Sequence, residues 1–133
     1  MSNEVAPKIL AQAAVLLASD VPASIAYFRD KVGFKATGTW GEPPEFAILK
    51  RDGCRLMLGK VKDGQDITPN WKKRDGLWNA YFWVNDAKAL FTEMKLAGAI
   101  IDYGLETKPY GVLEFGIRDL DGQDIGFGQD MDG

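Results

Sequence analysis

The side chains of this chain with chemistry to offer are carboxylates set among aromatic residues. Glu45, Glu114 and Asp124 each belong to a segment that alternates apolar with polar positions, Trp40, Tyr81, Trp83 and Tyr110 lie within or beside such segments, and Trp71 lies in a connection between them. Carboxylates beside flat π faces suit a large, flat, cationic ligand, held by stacking and by charge pairing at its arms. Two facing carboxylates, Glu45 and Glu114, can instead share a proton and act as acid and base without metal. Glu45, Glu114 and Asp124 together would form an all-oxygen site suited to a hard ion such as Mg²⁺ or Ca²⁺. The sequence contains no histidine, which closes imidazole-based catalysis and imidazole ligation.

Composition narrows the partners. The 133 residues, 46% hydrophobic and 26% charged, have the make-up and size of a globular domain. A net charge of −3 disfavours nucleic acid, whose phosphates reward a basic surface, and is compatible with a cationic ligand. The apolar runs, such as Ala13 to Ala18, fall far short of the roughly 20 residues a membrane span needs, and the first residues lack a basic region followed by an apolar one. The reading is a cytoplasmic protein without membrane or nucleic-acid partners. The single cysteine, Cys54, shares strand parity with Leu56 and Leu58, which predicts a buried, inert thiol.

The elements that must position these residues are organised by one stretch, Tyr110 to Gly128. Val112 to Arg118 alternates, Asp121-Gly122 is a turn dipeptide, and Asp124 to Gly128 resumes the alternation, which predicts a hairpin. The same pattern occurs earlier at an offset of 69 residues, with Phe46 falling on Phe115, Ile48 on Ile117, Leu56 on Ile125, Leu58 on Phe127 and Gly59 on Gly128. An internal repeat follows. Residues 1–8 read as a mobile or exchanged arm and Gln12 to Ala18 as a buried strand. A helix capped by Ser19 or Asp20 then runs to about Val32 and ends at Gly33, before a strand over Phe34 to Thr39. After the first hairpin, residues 61–76 form a long loop with Trp71 and Lys72-Lys73-Arg74, either a solvated connection or a lid. Leu77 to Val84 is a strand, Ala87 to Gly98 a helix capped by Asn85 or Asp86, Ala99 to Tyr103 a strand and Gly104 to Gly111 a loop.

The order strand, helix, three strands is thus written twice, in repeats of about 9–60 and 77–129 within a single domain over 9–129. This predicts an α+β fold, two βαβββ units forming a cupped mixed sheet with helices outside and a ligand on the concave face. Alternation assigns Phe46, Ile48, Ala80, Phe82, Phe115 and Phe127 to the helix side. It assigns Glu45, Ala47, Leu49, Arg55, Met57, Asn79, Tyr81, Trp83, Glu114, Arg118 and Asp124 to the cup. Trp78 takes the helix-side parity or a strand end, and Glu114 has Arg55 or Arg118 as a candidate salt-bridge partner.

The helix segment Asp20-Val-Pro-Ala-Ser-Ile-Ala-Tyr-Phe-Arg-Asp-Lys-Val-Gly-Phe and the ending Glu114-Phe-Gly-Ile-Arg-Asp-Leu-Asp-Gly, with the paired units, resemble the vicinal oxygen chelate superfamily of glyoxalases, dioxygenases and bleomycin resistance proteins. The enzymes of that superfamily hold a divalent metal at four symmetric cup positions, which correspond here to Ala13, Met57, Asn79 and Gly126. None of these offers an imidazole or carboxylate, so the expectation is no metal, no cofactor and no assigned catalytic residue. The apolar first strand leading to Ser19-Asp20-Val21, the aromatic strand Leu77-Trp-Asn-Ala-Tyr-Phe-Trp-Val, and Lys108-Pro-Tyr-Gly are similar to the bleomycin resistance proteins. That likeness implies a homodimer that sequesters a cationic aromatic antibiotic, with a metal-independent isomerase or lyase as the alternative. The candidate ligand-binding residues, taken from the cup parity, the aromatic candidates and this likeness together, are Trp40, Glu45, Arg55, Met57, Trp71, Asn79, Tyr81, Trp83, Tyr110, Glu114 and Asp124.

Overall fold

A computed structural model describes residues 5–133. The first repeat is β1 (Ala13–Ala18), α1 (Val21–Tyr27) continued by a π-helical turn (Phe28–Val32), β2 (Lys35–Trp40), β3 (Phe46–Arg51) and β4 (Cys54–Lys60). A short helix α2 (Asn70–Lys73) interrupts the connection. The second repeat is β5 (Ala80–Trp83), α3 (Ala87–Ala97), β6 (Ile100–Lys108), β7 (Val112–Arg118) and β8 (Asp124–Asp130). Each repeat makes a four-stranded mixed sheet, ordered β1-β4-β3-β2 and β5-β8-β7-β6, with a parallel pair at β1–β4 and β5–β8. The α+β fold of two βαβββ units is therefore present.

Local chemistry sets the helix ends. Asp20 accepts from Ala23 N at 3.1 Å and Asp86 from Ala89 N at 3.0 Å, so each helix opens on a carboxylate that satisfies an otherwise unpaired amide. Each closes on a left-handed glycine, Gly33 at φ 78° and Gly98 at φ 91°. The π turn brings the adjacent pair Tyr27 and Phe28, and Val32 beyond them, all into the interior.

The helix-bearing sides of the two sheets share one core. Leu16, Leu49, Leu56 and Leu58 of the first unit and Phe115, Ile117, Ile125 and Phe127 of the second belong to a single buried cluster. Phe34 packs on Phe82 at 5.4 Å between ring centroids, and Phe82, Phe127 and Phe115 continue as a stack. Polar links reinforce the joint: the Tyr27 hydroxyl donates to Arg118 O at 2.6 Å and accepts from Ile100 N, and Arg51 grips Glu93 with two hydrogen bonds. Gln123 donates to Leu17 O at 2.8 Å, tying the second hairpin to the first strand.

Four sequence expectations change. In β3 the buried residues are Ala47 and Leu49, which lie opposite Leu58 and Leu56, so Phe46 and Ile48 occupy the helix-free face instead of the core. The cause is a hairpin shorter by one residue. Lys50 pairs Arg55 in the first unit where Arg118 pairs Asp124 in the second, so β4 and β8 keep the offset of 69 residues while β3 and β7 are offset by 68. Glu45 is consequently equivalent to Leu113, and Phe46 to Glu114. Cys54 keeps the parity of Leu56, but it closes the tight Asp52-Gly53 turn and is exposed. In β1 only Leu16 and Ala18 are buried, because the helix-free side of this edge strand has no cover and leaves Val15 and Leu17 exposed. The segment 104–111 is not a loop, since β6 continues to Lys108. Of the expected arm, residues 1–4 lie outside the described residues.

Candidate functional site

The helix-free face of the second sheet has a floor of glycines. Gly116 of β7 pairs Gly126 of β8 and Gly128 pairs Glu114, and a Cβ on any of the three glycines would meet an aromatic side chain. Tyr103 lies over Gly116, Trp78 and Tyr81 lie over Gly126, and Tyr81 also covers Gly128. The rings are locked edge to face, Trp78–Tyr81 at 4.6 Å and Tyr81–Trp83 at 5.2 Å between centroids.

At the centre of these rings is Glu114, fully buried at 0% exposure. Its Oε1 accepts from Tyr81 and Tyr110, both at 2.8 Å, and its Oε2 accepts from Tyr103 at 2.7 Å. Trp78 Nε1 in turn donates to the Tyr103 hydroxyl at 2.8 Å. A desolvated carboxylate needs such donors, and hydrogen bonds to a charged group are the stronger kind. The cost falls on the tyrosines, since burial and then the hydrogen bond to Glu114 push Tyr110 up to about 12. Tyr81 and Tyr103 are pushed up for the same two reasons in the same order.

A second polar group occupies the far end of the same face. Arg118 Nε bonds Asp124 at 3.0 Å and its terminal nitrogen pairs Asp102 at 3.1 Å, while the guanidinium lies over Trp71 at 4.4 Å from the ring centroid. Trp71 is fixed there by its Nε1 donating to Gly122 O at 2.7 Å. Burial and the neighbouring Asp102 raise Asp124, and the Arg118 hydrogen bond opposes them.

The structure thus brings together Tyr81, Tyr110 and Glu114, places Trp83 against Tyr81, and joins Asp124 to Trp71 through Arg118. Asn79 is spent on structure, accepting from Asn70 N and donating to Gln123. Trp40, Glu45, Arg55 and Met57 belong to the first unit. Trp40 packs on Phe46, Glu45 lies exposed beside Pro43, Pro44 and Lys60, and Met57 is half-buried. Arg55 shares with Tyr81 a cleft of about 350 Å³ between the edge strands β1 and β5. Glu114 forms no pair with Arg55 or Arg118, and the Glu45–Glu114 pair that repeat symmetry predicts does not arise because the two are not equivalent positions.

Two residues of the cluster escaped the sequence reading. Trp78 precedes β5 and so is not bound by its alternation, and it lies on the helix-free side with Tyr103. Tyr103 lies at a register shift in β6, which hides its face from parity counting. The visible signal for both was the run of glycines at 116, 126 and 128, each an opening that a large ring fills.

The chain matches the model of the Glyoxalase/Bleomycin resistance protein/Dioxygenase superfamily over residues 10–127. It belongs to that superfamily. Three solved structures show the likeness. TioX from Micromonospora sp. ML1 is 20% identical with a TM-score of 0.72, covering 91% of this chain and 98% of that one. The bleomycin-binding protein from bleomycin-producing Streptomyces verticillus, complexed with copper(II)-bleomycin, is 28% identical at a TM-score of 0.68, covering 91% and 96%. Lactoylglutathione lyase from Agrobacterium tumefaciens is 22% identical at a TM-score of 0.64, covering 94% and 96%. No curated protein sequence matches the chain.

The metal that superfamily enzymes use does not fit the donors here. Ala13 and Gly126 carry no ligating atom, Met57 offers only a thioether, and Asn79 is already engaged. Among the described residues no three Asp, Glu or Cys side chains converge as a ligand set. Nor does any helix among them have the length and apolarity to cross a membrane.

Proposed function

We propose that this superfamily member is a small-molecule binding protein whose ligand is a flat, cationic aromatic compound of the bleomycin type, held without metal in a groove that two copies of the chain complete. The observation that carries the reading is the helix-free face of the second sheet, where Trp83 and Tyr110 stay 63% and 56% exposed on either side of a buried carboxylate. Large aromatic surface left in water, yet fixed at Trp83 by its edge-to-face contact with Tyr81, is preorganised for stacking. Glu114 makes the tyrosine rings more electron-rich through their hydroxyls, which favours a cation over an anion. The 28% identity to a bleomycin-binding protein supports the same ligand class. A second copy is drawn in by the exposed Val15 and Leu17 of the first sheet, whose free face lacks any cover.

The test is a tryptophan-fluorescence titration of chelator-treated protein with metal-free bleomycin. Saturation near one ligand per chain is expected, and Trp83→Ala should weaken it by about tenfold, since a desolvated stacking contact contributes on the order of 1–2 kcal/mol. A flat titration rules out this ligand.

A further inference from the structure

Glu114 is a buried carboxyl group with no ion-pair partner among the described residues. Its three donors are neutral hydroxyls, and among the described residues every ion pair goes elsewhere: Lys108 to Glu106, and Arg118 to Asp102 and Asp124. The surroundings add negative charge. Glu106 sits directly across β6–β7 from Glu114, and Asp130 and Asp132 follow at the end of β8, with Lys108 over the Tyr103 ring as the one cation nearby on these elements. β5, from Ala80 to Trp83, contributes no charge.

The three hydroxyls are not held alike. Tyr81 and Tyr103 are wedged onto the glycine floor, and Tyr103 is further pinned by Trp78. Tyr110 comes from the turn between β6 and β7, where Gly111 at φ 77° bonds back to Lys108 O, and its ring is more than half exposed. It is the donor that can leave without disturbing the sheet.

The geometry points to Tyr110 as a displaceable cover and Glu114 as the counter-ion for a primary ammonium of the ligand, which takes over the Tyr110 hydrogen bond at Oε1. This rests on the ligand-binding reading of the same face. An ammonium donates as the hydroxyl does and also supplies a positive charge, so the exchange is favourable at a carboxyl group that is itself cut off from water. Tyr81 and Tyr103 keep their hydroxyl bonds to the carboxylate and so hold it in place for the cation.

Calorimetric titration with phenethylamine and its N-acetyl derivative tests the assignment, using the full chain and the Tyr110→Phe variant. Removal of the competing hydroxyl should tighten phenethylamine by about fivefold or more, within the range of one hydrogen bond to a charged group, with no such gain for the N-acetyl compound. Glu114→Gln, if its melting curve shows it folded, should abolish ammonium binding; if it is unfolded, the Tyr110→Phe comparison decides alone. Unchanged or weaker binding in Tyr110→Phe, equal binding of the two compounds, or no binding of phenethylamine overturns the assignment. Bleomycin binding that ignores Tyr110→Phe would sink this inference and leave the proposed function standing. A flat bleomycin titration with phenethylamine tightened by Tyr110→Phe would do the reverse.

Discussion

Glu114 couples the stability of this protein to alkaline pH through the tyrosines that hold it. Tyr110 has a folded value of about 12 against 10.0 for an ordinary tyrosine, and Tyr81 and Tyr103 are raised in the same direction. A group whose folded value is raised contributes stability that is complete below its unfolded value. That contribution is lost as pH climbs, because above about pH 10 the unfolded chain releases a proton the folded chain still holds. Stability measured by urea unfolding should therefore be flat from pH 7 to 9 and fall between pH 10 and 12. A profile that stays flat to pH 12 would contradict the hydroxyl–carboxylate cluster. Glu114→Gln probes the same cluster at neutral pH. It removes the charge and sets an amide N–H against tyrosine donors, one of which, Tyr103, already accepts from Trp78. The expected loss is about 1–3 kcal/mol in the urea midpoint analysis, and a variant as stable as the parent would mean that the hydroxyls do not depend on the carboxylate.

At the scale of elements, glycines decide where the rings lie. Gly116→Ala would drive a methyl into the Tyr103 ring and Gly126→Ala one into Trp78 and Tyr81, whereas at Gly53 a Cβ meets nothing within 4 Å. The first two should cost about 1–3 kcal/mol and alter the near-ultraviolet circular dichroism of the aromatic cluster, while Gly53→Ala should stay within about 0.5 kcal/mol. Equal effects at all three sites would dismiss the floor. These glycines also show how legible the site was. The chain order of the elements, both helix caps and the shared face of Tyr81 and Glu114 follow from alternation and turn chemistry, whereas Tyr110, in an expected loop, was marked only by the family resemblance. Alternation fails where the residue count changes. One residue fewer in the first hairpin turned Phe46 and Ile48 outward and broke the apparent symmetry of Glu45 with Glu114. The register shift in β6 concealed Tyr103 in the same way. The exposure of Cys54 and Val15 is a matter of cover, which pairing parity does not report.

For the whole molecule the unresolved force is on the first sheet. Its helix side is sealed by α1 and the shared core, but on the other side Val15 and Leu17 are 67% and 48% exposed on an edge strand, beside the half-buried Met57. Contiguous apolar surface of this kind on a strand with free backbone groups favours association with a self-complementary partner. Light scattering at micromolar concentration should then give twice the chain mass of 14.7 kDa. Placing charges on that face with Val15→Asp and Leu17→Asp together should yield a folded monomer, because neither side chain belongs to the buried core. If the binding groove lies between copies, the same double variant should also lose bleomycin binding while keeping the fall in stability between pH 10 and 12 described above. A wild-type monomer that still binds the drug at one per chain would instead place the ligand within a single chain, where the cleft shared by Arg55 and Tyr81 between β1 and β5 is the place to look.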